Sequence, residues 1–286
     1  MRRLLRTFLL ALPAVVLIAA TCGSLWLLWT VYRAGGFGFH DVTLINDWFS
    51  NALYYAQPYY VTATGEMHLR YSFTPTVLIA APLYLFTESQ FLLPALGPVC
   101  LAIALWTFYR LFRRLVKERL PDTVAASMGA ALLLICTGTA YTRAVLLTPH
   151  YEIFYLPPFA CACYLAVVNH SRNRIALWFC ALVAIGIRQD AALYFLFQFG
   201  GLAFLVSDRR AFLRRNALLL GFCFAYLLVV VLWVGPALQT GRSSLEYWYH
   251  LGDTPTTIAA GLLDRFAQIP EELRHSALYP LNRSFG

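Results

Sequence analysis

The chain alternates between long apolar runs and short polar segments, and this alternation predicts its secondary structure. Seven runs are candidate membrane helices. They cover residues 8–32, 91–112, 124–147, 152–168, 175–187, 190–206 and 216–238. A further run, at 75–86, would cover only about 18 Å as a helix, so we predict a half-helix that enters the membrane and returns. The pattern therefore predicts an all-α fold, a polytopic transmembrane helix bundle with about seven crossings.

The composition also indicates an integral membrane protein. Hydrophobic residues make up 60% of the chain and charged residues only 13%, whereas a soluble domain carries about 25% charged residues. The net charge of +8 comes from basic residues clustered between the apolar runs, which is the positive-inside distribution and predicts no nucleic-acid partner. The seven cysteines fall inside apolar runs without zinc-ligand spacing, so we interpret them as small hydrophobic residues.

The basic segments predict how the helices are oriented in the membrane. The first apolar run is too long for a signal peptide, so we interpret it as an uncleaved helix with a cytoplasmic N-terminus. Under the positive-inside rule, the basic segments at 110–119, 172–174 and 208–215 then lie in the cytoplasm. Most acidic residues fall on the opposite side, so we expect the polar residues that form the functional site to lie at the outer face.

These assignments divide the chain into a transmembrane domain at 1–238 and an outer-face segment at 239–286. The outer loop at 33–74 is longer than most connections, which indicates a structured or functional segment. After Asp41, apolar residues recur at roughly helical spacing, so we predict a short amphipathic helix at the membrane surface. The same loop carries a tyrosine cluster, beginning at Tyr54 and Tyr55, that is typical of a membrane interface and has sugar stacking as its alternative role.

Three polar groups come to the predicted outer face. The first holds His40, Asp41 and Asp47, the second holds His150 and Glu152, and the third holds Arg188 and Asp190. Charged side chains at a helix break near membrane depth are costly, and they usually pair with each other or face a cavity. The third group is therefore either a structural ion pair or a phosphate site in which Asp190 orients the planar arginine fork.

The other two groups also have two interpretations each. Asp41 is either the N-cap of a helix or a general base that takes a proton from an attacking hydroxyl group. His150 and Glu152 either form a solvated turn or line the same site. The sequence contains no GxGxxG before a helix, no P-loop, no GxSxG and no HExxH, so it lacks the signals of soluble nucleotide-cofactor, NTPase and serine-hydrolase chemistry.

The order of these features resembles a known family. A first span is followed by an outer loop with an early acid, Asp41, and by the proline-led run PTVLIAAPLYLF. An H-x-E-x(4)-P motif follows at His150, Glu152 and Pro157, and the triplet RQD begins at Arg188. In combination they resemble a bacterial family of multi-pass membrane proteins, the domain of unknown function 2079 family, which is related to the GT-C glycosyltransferases.

The resemblance covers roughly residues 37–263, with two departures from the family pattern. Ser72 replaces a histidine before the proline-led run, and Gln189 replaces an acid in the later triplet. Asn51 matches a Trp-Asn motif of the family loosely. Because relatives continue with further spans, the resemblance implies a shortened member or an incomplete domain.

The resemblance implies a GT-C-like enzyme of a bacterial inner membrane. Such enzymes transfer a sugar from a polyprenyl-phosphate carrier to an acceptor at the outer face, so the expected partners are membrane lipid and a lipid-linked sugar donor. The implied site has Asp41 and Asp47 as catalytic carboxylates and His150, Glu152, Arg188 and Asp190 as substrate-binding residues. A divalent cation, Mg²⁺ or Mn²⁺, held by Asp41, Glu152 or Asp190, is the alternative source of positive charge. The alternative function is a non-catalytic transporter or an assembly subunit of cell-envelope polysaccharide synthesis.

Overall fold

A computed structural model describes residues 2–35, 48–55, 57, 60–61, 66–67, 76–85, 89, 91–117, 119–139, 142, 151–168, 173–188, 190–230, 256 and 260–261. The described chain is largely helical. Its longer helices are α1 (Arg2–Arg33), α2 (Leu92–Val116), α3 (Asp122–Gly138), α4 (Leu156–Val168), α5 (Arg174–Ile187), α6 (Ala191–Leu205) and α7 (Arg209–Val229). Two 3-10 helices, Val77–Leu85 and Tyr151–Tyr155, and a helical stretch at 48–54 connect them. A small antiparallel hairpin pairs β1 (Tyr60–Val61) with β2 (Glu66–Met67).

Three of the described helices are long and apolar enough to cross a membrane. They are Leu4–Arg33 within α1, Leu92–Val116 and Arg209–Val229. Only 11%, 33% and 22% of their most apolar windows are buried within the protein, so most of this apolar surface faces outward. Since a soluble protein rarely exposes apolar patches of such size, the chain is a membrane protein with transmembrane helices.

The prediction of seven crossings is wrong for the described helices. The helices α3, α4, α5 and α6 contain 17, 13, 14 and 15 residues. At a rise of 1.5 Å per residue they cover roughly 20–26 Å, which is short of a hydrocarbon core of about 30 Å. The fourth predicted run is shortened because a 3-10 helix occupies its start. The break at Arg188–Asp190 lies where the sequence predicts it, and the two helices that it separates, α5 and α6, are as short as the predicted runs.

The predicted half-helix at 75–86 is a nine-residue 3-10 helix, Val77–Leu85. At about 2.0 Å per residue it covers roughly 18 Å, so it is too short to cross, as the sequence predicts. Just before it, the Thr76 hydroxyl donates to the Val183 carbonyl at 2.8 Å, and the Thr76 N–H donates to the Gly186 carbonyl at 3.0 Å. These bonds fix the start of the 3-10 helix to the last turn of α5.

Small residues and aromatic rings shape the packing of the bundle. On α3, Gly129 faces the ring of Tyr109 so closely that a Cβ atom there would overlap the ring, which is the close approach that small residues allow between membrane helices. Through the centre, the ring of Phe195 on α6 packs at a tilt against Phe159 on α4, with ring centroids 4.6 Å apart, and stacks with Phe199 one turn later at 5.8 Å. The rings of Phe199 and Phe212 extend this contact to α7.

The chain divides into two compact units. One contains Met1–Leu69 and Thr74–Leu227, and the other contains Arg70–Phe73 and Leu228–Gly286. The first unit holds the helices that surround Arg188 and Asp190. Most of the second unit, including nearly all of the predicted outer-face segment at 239–286, lies outside the described residues.

Candidate functional site

The structure describes the third predicted polar group in full and the others only in part. Asp41, Asp47 and His150 lie outside the described residues. Glu152 belongs to the 3-10 helix Tyr151–Tyr155, but only its backbone is described. The geometry of the site is therefore that of Arg188, Asp190 and the side chains around them.

Arg188 and Asp190 form a bidentate ion pair. The Arg188 Nε donates to Asp190 Oδ1 at 2.6 Å, and Nη2 donates to Oδ2 at 3.1 Å. Such parallel bonds from a guanidinium fork to a carboxylate are strong and directional. The two side chains are 24% and 20% exposed, so the ion pair is mostly buried but remains partly accessible.

The backbone at this point explains why the pair forms. Arg188 ends α5 in an extended conformation, with φ −137° and ψ 112°, and two residues later Asp190 begins α6. Asp190 occupies the N-cap position but its side chain makes no capping hydrogen bond; its carboxylate is directed to Arg188 instead. A cation at the C-terminus of one helix and an anion at the N-terminus of the next are both favoured by the helix dipoles.

Two tyrosines complete the cluster around Arg188, and sequence reasoning missed both. The Tyr194 hydroxyl donates to Asp190 Oδ2 at 2.9 Å and accepts from Arg188 Nη2 at 3.3 Å. The Arg188 Cζ lies 5.6 Å from the ring centroid of Tyr155 and 5.5 Å from that of Tyr194, within the range of cation–π contacts. The four-residue spacing between Asp190 and Tyr194 on a helix is a signal that was available in the sequence.

A glycine positions this cluster relative to the 3-10 helix Val77–Leu85. A Cβ atom at Gly186 would lie 2.5 Å from Thr76 Oγ1, so only glycine allows Thr76 to reach the carbonyls of the last turn of α5. The Gly186 carbonyl lies in the last turn, where carbonyls lack a partner further along the helix, and the Thr76 N–H satisfies it. The Thr76 hydroxyl adds a second bond, to the Val183 carbonyl. The contact holds the end of α5, and therefore Arg188, in place.

An apolar cluster underlies the site and joins the segments next to all three predicted polar groups. We call it the junction cluster; its buried members are Trp48, Phe49, Ala81, Leu93, Ile153, Phe154 and Ile187. In sequence, Trp48 follows Asp47, Ile153 follows Glu152, and Ile187 precedes Arg188. The described residues that follow Asp47 and Glu152 and precede Arg188 in the sequence therefore meet at one place in the fold.

The junction cluster also changes the interpretation of the predicted amphipathic helix. Its described part, at 48–54, does not place its first two aromatic residues at a membrane surface. Trp48 and Phe49 are 1% and 0% exposed, because they pack against residues of the α2 start, the second 3-10 helix and the α5 end. This stretch is anchored in the protein core.

The described residues do not fit a metal centre. Within the described part of the chain, no group of three or more His, Cys, Asp or Glu side chains is close enough to hold a metal ion. Asp190, a predicted ligand, already accepts hydrogen bonds from Arg188 and from Tyr194. What the arrangement can do is bind an anion, because a partly exposed guanidinium is held in a fixed plane by a carboxylate and two rings.

Comparison with protein-family models, with curated proteins and with solved structures finds no match to this chain. The relationship to the GT-C glycosyltransferases therefore stays a prediction from the sequence.

Proposed function

We propose that this chain is a GT-C-like membrane glycosyltransferase, which transfers a sugar from a polyprenyl-phosphate carrier to an acceptor. The observation that carries the proposal is the arginine at the break between α5 and α6. Arg188 is held by Asp190 and flanked by Tyr155 and Tyr194, in a protein whose transmembrane helices place it in contact with lipid. Charged residues in such a position are expensive and mark functional sites.

Arg188 fits the phosphate of the carrier for a physical reason. When the sugar leaves, negative charge develops on the phosphate oxygens, and a preorganised cation stabilises that charge most effectively in a site with little water. The ion pair with Asp190 fixes the plane of the guanidinium group before the substrate binds. Less side-chain entropy is then lost on binding than for an unrestrained arginine.

The predicted carboxylates supply the other half of the reaction. The acceptor oxygen attacks the anomeric carbon of the sugar, the bond from that carbon to the phosphate oxygen breaks, and Asp41 takes the proton of the acceptor hydroxyl. Asp47 is the second carboxylate, and His150 and Glu152 line the donor site. The junction cluster supports this assignment, because the neighbours of Asp47, Glu152 and Arg188 in sequence are packed together there.

A non-catalytic role in transport or envelope assembly is the second candidate, and one observation favours it. Asp190 occupies both Nε and Nη2 of Arg188, so the pair already satisfies much of the charge at the helix break. A pair that only stabilises the break would look the same. The two candidates differ in whether Arg188 contributes to turnover of a lipid-linked sugar.

Sugar transfer in proteoliposomes tests the proposal. The assay supplies a polyprenyl-linked hexose and compares the wild type with Arg188→Gln and with the matched control Arg113→Gln. Arg113 also pairs with an aspartate, Asp122, at 2.6 Å, but that pair is exposed. We expect Arg188→Gln to lower transfer about 10²-fold or more, the usual cost of removing a group that stabilises transition-state charge, and Arg113→Gln to change it less than about twofold. Full transfer by Arg188→Gln would overturn the proposal.

A further inference from the structure

A second polar site lies at the opposite end of α5 from Arg188. Residues at the end of α4, the start of α5 and the first turns of α7 line a groove that is partly open to the surroundings. We call it the basic groove, because Arg174 and Arg215 both line it, together with Trp178, Asn216 and Leu218. Arg174 begins α5 and Arg188 follows its end, so the two sites are about 20 Å apart.

The two arginines give the groove its charge. Both are exposed, and neither is paired with a carboxylate that the structure describes. The Arg215 Nε donates to the Ala211 carbonyl at 3.1 Å on its own helix, which fixes the orientation of the guanidinium group. At the start of α5, Asn173 makes no side-chain capping bond, and the uncapped N–H groups of a first turn attract anions.

A buried amide lines the same groove. Asn216 is only 4% exposed, and its Nδ2 donates to the Phe212 carbonyl at 3.0 Å. That bond uses one of its two N–H donors, and its carbonyl oxygen has no hydrogen-bond partner among the described residues. This oxygen is not fully buried, so it is accessible in the groove that Asn216 lines. Asn216 can therefore donate to a phosphate oxygen and accept from a headgroup hydroxyl.

The surroundings of the groove favour a lipid over a soluble anion. Leu218, on the groove wall, is 79% exposed, and Ile175, next to Arg174, is 84% exposed. Exposed apolar side chains beside two arginines suit a ligand whose phosphate is attached to acyl chains. Trp178 packs edge-on against Phe222, with ring centroids 5.7 Å apart, and tryptophan is a residue that is enriched at membrane interfaces.

We propose that the basic groove binds the headgroup of an anionic phospholipid. Arg174 and Arg215 contact the phosphate, Asn216 contacts the phosphate and headgroup hydroxyls, and the acyl chains run along Leu218 and Ile175. Basic pockets between membrane helices bind phospholipid headgroups in this manner. The site is separate from Arg188, so the proposal does not depend on the proposed sugar transfer.

Counting bound lipid on the full chain tests the proposal. Phosphatidylglycerol is titrated into the purified protein in a neutral detergent, and native mass spectrometry measures the dissociation constant of the first bound lipid. We expect Arg174→Gln and Arg215→Gln each to weaken this binding about tenfold, the cost of one hydrogen bond to a charged group. Arg214→Gln is the matched control, because Arg214 is exposed on the same helix but does not line the groove; its effect should stay below about threefold.

Three further measurements separate a specific binding site from diffuse electrostatic attraction. Asn216→Leu leaves the net charge unchanged, so a purely electrostatic surface predicts no effect, whereas the groove predicts weaker phosphatidylglycerol binding. Phosphatidylcholine should bind more weakly than phosphatidylglycerol, and inorganic phosphate should displace the lipid no better than chloride at matched ionic strength. Equal losses in Arg214→Gln and Arg215→Gln, unchanged binding by Asn216→Leu, or displacement by inorganic phosphate would each overturn the proposal. Circular dichroism checks that every variant keeps its helical content.

Discussion

Arg188 donates from Nε and Nη2 to the two carboxylate oxygens of Asp190, at 2.6 and 3.1 Å, across the short break between α5 and α6. This ion pair joins two helices that are each too short to cross a membrane alone. It also places a guanidinium group, held in a fixed plane, beside two tyrosine rings. The stability of this part of the fold and the proposed phosphate binding therefore depend on the same pair.

Removing the carboxylate of Asp190 should cost stability. Asp190→Asn leaves the partly buried Arg188 without its anionic partner, and we expect about 1–2 kcal/mol of destabilisation, since partial exposure reduces the larger cost of a fully buried pair. Tyr194→Phe removes a hydroxyl group that bonds to both charged side chains, and it should cost about 1.5 kcal/mol, the lower end of the cost of a hydrogen bond to a charged group. Chemical unfolding in detergent measures both. An Asp190→Asn protein as stable as the wild type would contradict the role of the pair at the break.

The contact between Gly186 and Thr76 should be sensitive to a single methyl group. Gly186→Ala places a Cβ atom 2.5 Å from Thr76 Oγ1, so we expect about 1–3 kcal/mol of destabilisation from overpacking. Gly200→Ala is the matched control, because nothing lies within 4 Å of a Cβ atom at that helical position. The control should be neutral or stabilised by up to about 1 kcal/mol.

A second-site change tests the cause of that effect. Thr76→Ala removes the Oγ1 and Cγ2 atoms that the new methyl group would meet. The double variant Gly186→Ala, Thr76→Ala should therefore be more stable than the sum of the two single changes predicts. Strict additivity in thermal unfolding would show that the loss arises elsewhere in the helix.

Replacing the buried Trp48 of the junction cluster should destabilise the protein far more than replacing an exposed tryptophan. Trp48→Ala empties a position that is 1% exposed, and the expected cost is about 3–5 kcal/mol. Trp26 is 70% exposed on α1, so Trp26→Ala should cost well under about 1 kcal/mol. Unfolding experiments on both variants decide this, and equal costs would mean that the helical stretch at 48–54 is not anchored in the core.

Replacing the proposed base, Asp41, should slow the reaction and leave the fold intact. Asp41→Asn removes the group that takes the acceptor proton, so we expect transfer from a polyprenyl-linked sugar to fall about 10²–10⁴-fold. Binding of the polyprenyl carrier should change little, because we propose that its phosphate is bound by Arg188 and not by Asp41. Transfer rates and binding constants measured on the same preparation separate these effects. An unchanged rate would remove Asp41 as the base.

The sequence predicts the helical class of the fold and its relation to a membrane, because apolar runs must be helical where the backbone has no water to bond. It also predicts that the run at 75–86 does not cross, and that Arg188 and Asp190 lie at a break. It predicts the ends of α5 and α6 to within one residue, but not the 3-10 helix at the start of the fourth run or the end of α3 at Gly138. Contacts such as that of Thr76 with Val183, which are 107 residues apart, are also beyond its reach.

Long-range packing also explains what sequence reasoning missed at the site. Tyr155 reaches Arg188 from a different helix, and no spacing rule connects residues that far apart in the chain. The burial of Trp48 and Phe49 has the same origin: their spacing fits an amphipathic surface helix, but the residues around Leu93 and Ile187 supply a protein partner for the apolar face. Local periodicity indicates which face of a helix is apolar, and the tertiary structure determines whether protein or membrane covers that face.

The binding of a polyprenyl phosphate that carries no sugar tests the central claim most directly, since it requires neither the sugar nor the acceptor to be known. The dissociation constant is measured for the full chain in detergent, for the wild type, Arg188→Gln and Arg113→Gln. We predict that Arg188→Gln weakens binding about tenfold or more, the cost of a hydrogen bond to a charged group, while Arg113→Gln binds like the wild type. Equal affinity of Arg188→Gln and the wild type would contradict the assignment of Arg188 as the phosphate-binding residue.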